Sequence, residues 1–296
     1  VEYLIITPTQ FLAEAQRLAD YHRTKNNYQV EIVELHKIYN EFSSGSQDLT
    51  ALRDFITKLN TPAGTLKNVL LLGDTSYDFK NRIPNNTNLV LSYQSEQSAN
   101  VSSSFVSDDY IVMTKPQNSS LIGNMLPDIP IGRLPAANIS EAKLLVDKTL
   151  AYYNALPNQS TPFGIWRTRM DFTVDDDCDL GNAFHNYVEN TLTGVFEAPN
   201  TDKPEYNIRK LYMDAYPQIN TAGGQRYPEI TQTLNTGFNN SLYQFYFGHG
   251  GINGWAQERI FTSNEIQNIN NYNSLFSRFP LVSTITCEFS LWDEPN

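Results

Sequence analysis

The C-terminal quarter of the chain decides the fold, because two apolar runs in it each lead into a reactive side chain. Residues 241–296 read SLYQFYFGHGGINGWAQERIFTSNEIQNINNYNSLFSRFPLVSTITCEFSLWDEPN. The run from Ser241 to Phe247 predicts a buried strand that stops just before His249. The run from Pro280 to Thr286 predicts another, which stops at Cys287. Both side chains are therefore expected at the carboxyl edge of a parallel sheet, where open α/β folds place their sites.

The first half of the chain alternates strand patterns with amphipathic helix patterns. Strands are predicted at 2–7, 28–35 and 68–72, and helices lie between them. This alternation predicts right-handed βαβ units and a parallel sheet. The stretch 127–135 is too rich in proline for a central strand, so it predicts an edge strand with a tight turn.

The second half of the chain repeats this plan. Strands are predicted at 169–174, 208–213, 242–247 and 281–286, with helices between them. The clearest linker is PNQSTPF at 157–163. We therefore expect an α/β protein of two doubly wound subdomains with mostly parallel sheets. They are predicted to be an N-terminal subdomain, 1–160, and a C-terminal catalytic subdomain, 161–296, that is incomplete at its C-terminus.

The composition excludes several classes of protein. Twenty-one Lys and Arg residues stand against 32 Asp and Glu residues, which gives a net charge of −11 with no basic block. Nucleic-acid binding needs clustered cations, so it is not expected. No stretch reaches the length of a membrane span. Two cysteines are too few for a disulfide framework. Because the chain begins almost inside a strand and stops shortly after Cys287, we expect it to be part of a longer polypeptide.

His249 and Cys287 are the residues most suited to chemistry. His249 lies between glycines, which allow close backbone approach, although a histidine in a glycine turn is also common. A free cysteine is most often a small buried hydrophobe, but Cys287 lies at a strand exit. A histidine that precedes the nucleophilic cysteine by a few tens of residues, each at a strand end, is the caspase arrangement. The chemistry predicted is thiolate attack on an acyl carbonyl, with the backbone N–H groups of Gly250 and Cys287 as oxyanion donors.

An acidic run follows the strand at 169–174, and it can serve the same crevice. It holds Asp175, Asp176, Asp177 and Asp179. One carboxylate can orient His249 through its second ring nitrogen. The run can also bind a cation or cap a helix N-terminus, and these alternatives stay open. The four histidines lack ligand spacing, so neither a metal nor a cofactor is expected for catalysis.

Four further acidic residues end strands in the first half of the chain, and they are expected to cap loops rather than to bind a cation. They are Asp74, Asp78, Asp108 and Asp109.

With these residues in place, the chain resembles the gingipain family of cysteine peptidases, and in particular its sortase-like branch. The matching segments keep the family's order and span nearly the whole chain. They are LLLGDTSYDFK (70–80), SDDYIVM (107–113), PDIPIGRLPA (128–136), KLYMDAY (210–216), YFGHGGINGWAQERIF (246–261) and TCEFSLWDEP (286–295). The combination of GHG, ER and TCEFS is specific, whereas GHGG alone is weak.

The resemblance implies a caspase-like α/β fold and a catalytic dyad of Cys287 and His249. It places an acidic third member in the Asp run, and Asp177 is preferred with Asp176 as the alternative. Glu288, Trp255 and Trp292 are expected to contact substrate, although each can also serve packing or surface.

For the biological role, the resemblance implies the type IX secretion system of Bacteroidetes. Such an enzyme removes the C-terminal sorting domain of secreted cargo and attaches the cargo at the cell surface, on the extracellular face of the outer membrane. The implied partners are the cargo proteins and an outer-membrane barrel protein of the PorV type. Two alternatives stay open: a non-catalytic scaffold of the same apparatus, and a general secreted gingipain-like protease.

Overall fold

The chain divides into two compact units. The computed structural model describes residues 1–61, 63–95, 104–115, 126–153, 163–176, 181–193, 206–272, 277–289 and 291–294. The first unit comprises Val1–Leu150 and Leu291–Asn296, and the second comprises Ala151–Ser290. The last residues group with the first unit, whereas the expected C-terminal subdomain runs to 296, so the extent of the two subdomains stays a prediction. The expected boundary at 160 lies outside the described residues. None of the helices in the described ranges is long and apolar enough to cross a membrane.

The first unit is built on a four-stranded parallel sheet. Its strands are β1 (Tyr3–Thr7), β2 (Val30–Glu34), β3 (Asn68–Leu72) and β6 (Ile131–Leu134), in the order β2-β1-β3-β6. The two central strands β1 and β3 are almost wholly buried, as their continuous apolar sequences predict. The proline-rich segment forms the edge strand β6, as expected. Two short strands, β4 (Tyr93–Gln94) and β5 (Val106–Ser107), pair antiparallel beside this sheet.

Four helices pack around the first sheet. They are α1 (Leu12–Lys25), α2 (Leu35–Phe42), α3 (Leu49–Asn60) and α4 (Ile139–Tyr152), of which α4 continues into the first two residues of the second unit. Asp48 caps α3, since its carboxylate accepts the Thr50 N–H at 2.8 Å. The core is aliphatic, and its centre includes Leu4, Ile6 and Leu71, which are fully buried.

The acidic loop residues of the first unit serve the fold. Asp108 accepts two hydrogen bonds from the Arg133 guanidinium, at 2.9 and 2.7 Å. Arg133 also donates to three loop carbonyls, and its guanidinium lies 5.2 Å from the centre of the Trp292 ring. Asp78 accepts the backbone N–H groups of Arg82 and Ile83. These carboxylates therefore act in loop capping and ion pairing.

The second unit repeats the same topology. Its four parallel strands are β7 (Arg169–Val174), β8 (Asn207–Tyr212), β11 (Tyr243–Phe247) and β14 (Leu281–Ile285), in the order β14-β11-β7-β8. In each sheet the second strand flanks the first and the last strand lies at the opposite edge. The switch point of this sheet, where connections diverge to either side, therefore lies between β7 and β11.

Helices and short hairpins complete the second unit. The helices are α5 (Ala183–Val188), which continues into a π-helical turn (Glu189–Thr193), α6 (Pro228–Asn240) and α7 (Ser263–Gln267). One hairpin pairs β9 (Ile219–Thr221) with β10 (Gly224–Arg226), and the other pairs β12 (Gly250–Gly251) with β13 (Gly254–Trp255).

One strand of the second unit differs from its expected environment. The sequence predicts that 280–286 is buried, but β14 is the sheet edge and its side chains are largely accessible. Leu281 is 68% exposed and Ile285 is 43% exposed. An apolar run therefore predicted the strand correctly and its burial wrongly, because an edge strand has a neighbour on one side only.

Candidate active site

His249 and Cys287 follow two neighbouring strands at the same level. The parallel register pairs Phe247 of β11 with Ile285 of β14, and the Gly248 N–H donates to the Ile285 carbonyl at 3.3 Å. His249 lies two residues beyond the first of these and Cys287 two residues beyond the second. Since neighbouring strands run about 4.8 Å apart, the register brings imidazole and thiol to one edge of the sheet. Both residues are exposed, and Cys287 is a free thiol.

A buried carboxylate holds the backbone of the histidine. Asp175 directly follows β7, is 2% exposed and accepts the His249 N–H at 2.8 Å. A side chain on Gly248 would collide with the Cβ of Asp175, so the chain passes this carboxylate only because residue 248 is glycine. Burial raises the pKa of Asp175, while the N–H groups of His249 and Asp176 act in the opposite direction. This contact fixes the peptide that carries the imidazole.

A buried tyrosine holds the other end of the same residue. The Tyr246 hydroxyl donates to the His249 carbonyl at 2.5 Å and lies 3.4 Å from the Asp175 carboxylate. The Ala256 N–H donates to that carbonyl as well, at 2.8 Å. The backbone of His249 is thus bonded through both its N–H and its C=O, and its ring packs edge-on against Phe184 of α5.

Gly250 brings the histidine loop against the cysteine loop. A Cβ on Gly250 would collide with the Thr286 hydroxyl and would lie 3.2 Å from the Cys287 carbonyl oxygen. Gly250 pairs with Trp255 across the hairpin, and the flanking bond from Ala256 to His249 marks this as a non-hydrogen-bonded pair. The Gly250 N–H therefore points away from the hairpin partner, to the side from which another acceptor can approach.

A cleft opens beside His249. Its volume is about 470 Å³, and its lining includes His249, Gly250, Asn253, Arg259 and Glu288. Glu288 follows the cysteine with a φ of 51°, an unusual conformation for a residue with a side chain, which turns the chain sharply after the thiol. The expected contact between Glu288 and substrate stays a prediction that this position supports.

Three carboxylates meet beneath the histidine loop. Asp175, Asp176 and Glu258 have carboxylate oxygens within 4.8 Å of one another. Burial raises the pKa of Glu258, and the charges of Asp176 and Asp175 raise it further. Such a group can ligate a hard divalent cation. The described bonds are to protein groups, since Asp176 accepts the Tyr227 hydroxyl at 2.7 Å and Asp175 accepts the His249 N–H.

The acidic partner of the imidazole is not identified by the described contacts. Asp177, the preferred residue, lies outside the described residues. Asp176 bonds Tyr227 instead. Across the part of the chain that the structure describes, no side chain is hydrogen-bonded to the His249 ring. The assignment of Asp177 or Asp176 as third member therefore stays a prediction.

The two tryptophans have structural surroundings. Trp255 is fully buried, with its ring stacked on Tyr246 at 4.5 Å between centres, so its expected contact with substrate is wrong. The hairpin of β12 and β13 folds this aromatic side chain into the core. Trp292 belongs to the first unit, where it stacks on Arg133. The described environment of Trp292 is therefore packing.

Sequence reasoning missed Tyr246 and the role of Asp175. Tyr246 reads as one more aromatic residue of a buried strand, and nothing in its neighbours signals a hydroxyl bond. Asp175 was included in the acidic run but assigned no backbone contact. Both act on the main chain of His249, which side-chain chemistry in a sequence does not reveal.

Comparisons with known proteins identify the family of this chain. The sequence profile of peptidase family C25 matches residues 1–296. The structure of dimeric latent PorU from Porphyromonas gingivalis is 35% identical over 51% of this chain and 15% of that chain, with a TM-score of 0.43. No curated protein sequence is significantly similar to this chain.

Two gingipain structures match over 97% of this chain. The Arg-specific cysteine proteinase gingipain R (RgpB) is 16% identical, with 54% of that chain covered and a TM-score of 0.63. The complex of the Porphyromonas gingivalis RgpB pro- and mature domains is also 16% identical, with 56% covered and a TM-score of 0.61. The chain thus spans about half the length of the gingipain chains that it matches. The fold is the caspase-like α/β fold of the gingipains, and the chain belongs to peptidase family C25, the gingipain family of cysteine peptidases.

Proposed function

We propose that the protein is a cysteine endopeptidase and transpeptidase that acts through the dyad of Cys287 and His249. The observation that carries the proposal is the shared level of these residues on paired strands, with both side chains exposed. A thiol and an imidazole at the carboxyl edge of one sheet are the two groups that acyl transfer through a thioester requires. Membership of peptidase family C25 agrees with this chemistry.

The proposed reaction has two stages. The Cys287 sulfur attacks the carbonyl carbon of the scissile bond while the imidazole of His249 takes the thiol proton. The N–H groups of Gly250 and Cys287 donate to the oxyanion of the tetrahedral intermediate. Collapse breaks the C–N bond, and the imidazolium gives its proton to the leaving amine, which yields the thioester. Water or a second amine then attacks the thioester carbonyl and restores the thiol.

The proposed substrate is secreted cargo that carries a C-terminal sorting domain. Removal of that domain forms the thioester, and transfer to an amine attaches the cargo to the cell surface outside the outer membrane. Support comes from the motifs GHGG, ER and TCEFS, which resemble the sortase-like branch of the family. Within the type IX secretion system a PorV-type barrel protein is the proposed partner.

The test is Cys287→Ala in the producing cell, with the full-length protein. We expect cargo to retain its sorting domain and to be lost from the cell surface, which mass spectrometry of surface and medium fractions measures. A second strain with Cys178→Ala is the matched thiol control and is expected to process cargo normally. Normal processing in the Cys287→Ala strain would contradict the proposed activity and favour a scaffold.

A further inference from the structure

One cation beside the candidate active site is not used by the proposed catalytic machinery. Arg259 lies in the turn from Ala256 to Arg259, and both of these residues have positive φ, 59° and 55°. Left-handed backbone is strained for residues with side chains, and strained residues cluster at active sites and ligand clamps. The turn is anchored on both sides, because Ala256 is 7% exposed and Ile260 is fully buried.

The hydrogen bonds of the turn keep Arg259 at the surface. The Ala256 N–H bonds the His249 carbonyl at 2.8 Å, and the Ile260 N–H bonds the Trp255 carbonyl at 3.1 Å. The Arg259 N–H closes the turn onto the Ala256 carbonyl at 3.2 Å. The backbone of Arg259 is therefore tied to the His249 loop through Ala256, which bonds both residues.

Arg259 stands where two depressions of the second unit meet. It lines the cleft beside His249 and also a larger groove of about 760 Å³, and Asn253 lines both. The larger groove carries amide and hydroxyl side chains such as Gln232, Ser263 and Asn264, which can bond the main chain of an extended polypeptide. A polypeptide that lies in the cleft can therefore continue past Arg259 into the groove.

Two cations line the groove, Arg226 and Arg259, and Arg259 is the one available to an anion. Arg226 also lines the groove, but its guanidinium donates to the carbonyls of Gln225 and Gly223, at 2.5 and 2.7 Å. The Glu265 carboxylate is bonded to Thr262 in the capping box of α7. Across the described ranges, the Arg259 side chain has neither an ion-pair partner nor a hydrogen bond. A free guanidinium binds a carboxylate in a fixed two-bond geometry.

We propose that Arg259 is a specificity-determining residue that binds the carboxylate of an Asp or Glu side chain in the polypeptide substrate. The proposal rests on the proposed peptidase function. An acidic residue at one position of the substrate gains a charged hydrogen-bonded pair with Arg259, whereas its amide counterpart gains a weaker contact. For an ion pair at this exposed side chain we expect a preference of about threefold in kcat/KM.

The test is a positional-scanning library of internally quenched peptides, cleaved by the full-length protein. Asp or Glu, the corresponding amides and Lys are compared at each position. We expect one position at which the acid is preferred, with the preference lost in Arg259→Gln and retained in Arg259→Lys. Arg259→Glu is expected to prefer Lys at that same position, which a misfolded variant cannot do. Arg278→Gln removes a cation that bonds Asn240 ahead of β14, and it is expected to keep the acidic preference.

The outcomes separate the two proposals. Cleavage that depends on Cys287 but shows no acidic preference, or a preference that Arg259→Gln leaves intact, overturns the role of Arg259 alone. Failure to cleave any peptide, with a Cys287 thiol no more reactive than that of Cys178, overturns the peptidase function and this inference with it.

Discussion

At the scale of single residues, the Tyr246 hydroxyl is the contact whose removal tests how the histidine is held. Tyr246→Phe deletes the 2.5 Å bond to the His249 carbonyl, while Ala256 still donates to the same oxygen. We expect a loss of about 1 kcal/mol in the free energy of unfolding. We also expect a several-fold fall in kcat with KM unchanged, because the imidazole is displaced but the cleft is intact.

The matched control for this variant is Tyr243→Phe in the same strand, β11. No described residue bonds the Tyr243 hydroxyl, so its removal is expected to alter kcat little. Equal kinetic effects of the two variants would show that Tyr246 acts as packing only.

The raised pKa of Glu258 is expected to make the free energy of unfolding depend on pH. Burial first, and then the charges of Asp176 and Asp175, raise the pKa of Glu258, so the folded protein holds this proton more tightly than the unfolded chain does. The stability that this group contributes is therefore present at low pH and is lost as the pH rises through the folded pKa. Glu258→Gln removes this loss. We expect the variant to be more stable than wild type at pH 7, by less than about 1 kcal/mol for this half-exposed group, and the difference to shrink toward pH 4.

Urea denaturation at the two pH values measures the difference. A variant that is less stable than wild type by the same amount at both would mean that the carboxylate repulsion does not exist.

At the scale of elements, the two glycines of β12 are expected to differ in how well they tolerate a side chain. Gly250→Ala places a methyl group against Thr286 and the Cys287 carbonyl, whereas a Cβ on Gly251 meets nothing within 4 Å. We expect Gly250→Ala to lower kcat/KM about a hundredfold, since it displaces the cysteine loop and the N–H proposed for the oxyanion. Gly251→Ala is expected to leave the free energy of unfolding almost unchanged. The alkylation rate of Cys287 in this variant is expected to stay within about twofold of wild type. Equal damage by both would place the sensitivity in hairpin flexibility rather than in the Gly250 contact.

Some helices and strands could be predicted from the sequence and others could not. The central strands were predicted correctly because β1, β3 and β11 are continuous apolar runs between turn signals. Helix α2 begins at Leu35, where the sequence predicts the end of a strand, because the apolar residues from there to Phe42 recur at spacings of three and four. The exposure of β14 was missed because an apolar run does not record how many neighbours a strand has.

In the candidate site, reactive side chains could be predicted from the sequence, whereas contacts to the backbone could not. His249 and Cys287 could be predicted, since each has a reactive side chain at a strand end. The support by Asp175 could not, because it is a bond to a main-chain N–H that any residue offers. The burial of Trp255 could not be predicted either, since a two-residue hairpin strand decides it.

At the scale of the whole molecule, a buried carboxylate joins neighbouring strands of the second unit's sheet. In the second unit Asp171 is fully buried and accepts two bonds from Arg209, at 2.8 and 2.6 Å, and further bonds from Ser241 and Gln244. Asp171→Ala leaves these donors without an acceptor, so we expect a loss of about 3 kcal/mol in the free energy of unfolding. Asp214→Ala, which breaks an exposed pair with His185, is expected to cost less than about 1 kcal/mol.

Hydrogen exchange with peptide-level readout locates this effect. Faster exchange in Asp171→Ala is expected within 151–290, the span of the second unit. Exchange that rises equally throughout 1–150 would contradict the assignment of this network to one unit.

The central claim is that His249 activates Cys287, and the alkylation rate of that thiol tests it most directly. Iodoacetamide labelling of the native full-length protein, followed by peptide mass spectrometry, measures Cys287 and Cys178 in the same sample. We predict that Cys287 reacts at least about tenfold faster than Cys178, and that His249→Ala removes this advantage while Cys178 is unchanged. Equal rates for Cys287 in wild type and His249→Ala would contradict the dyad.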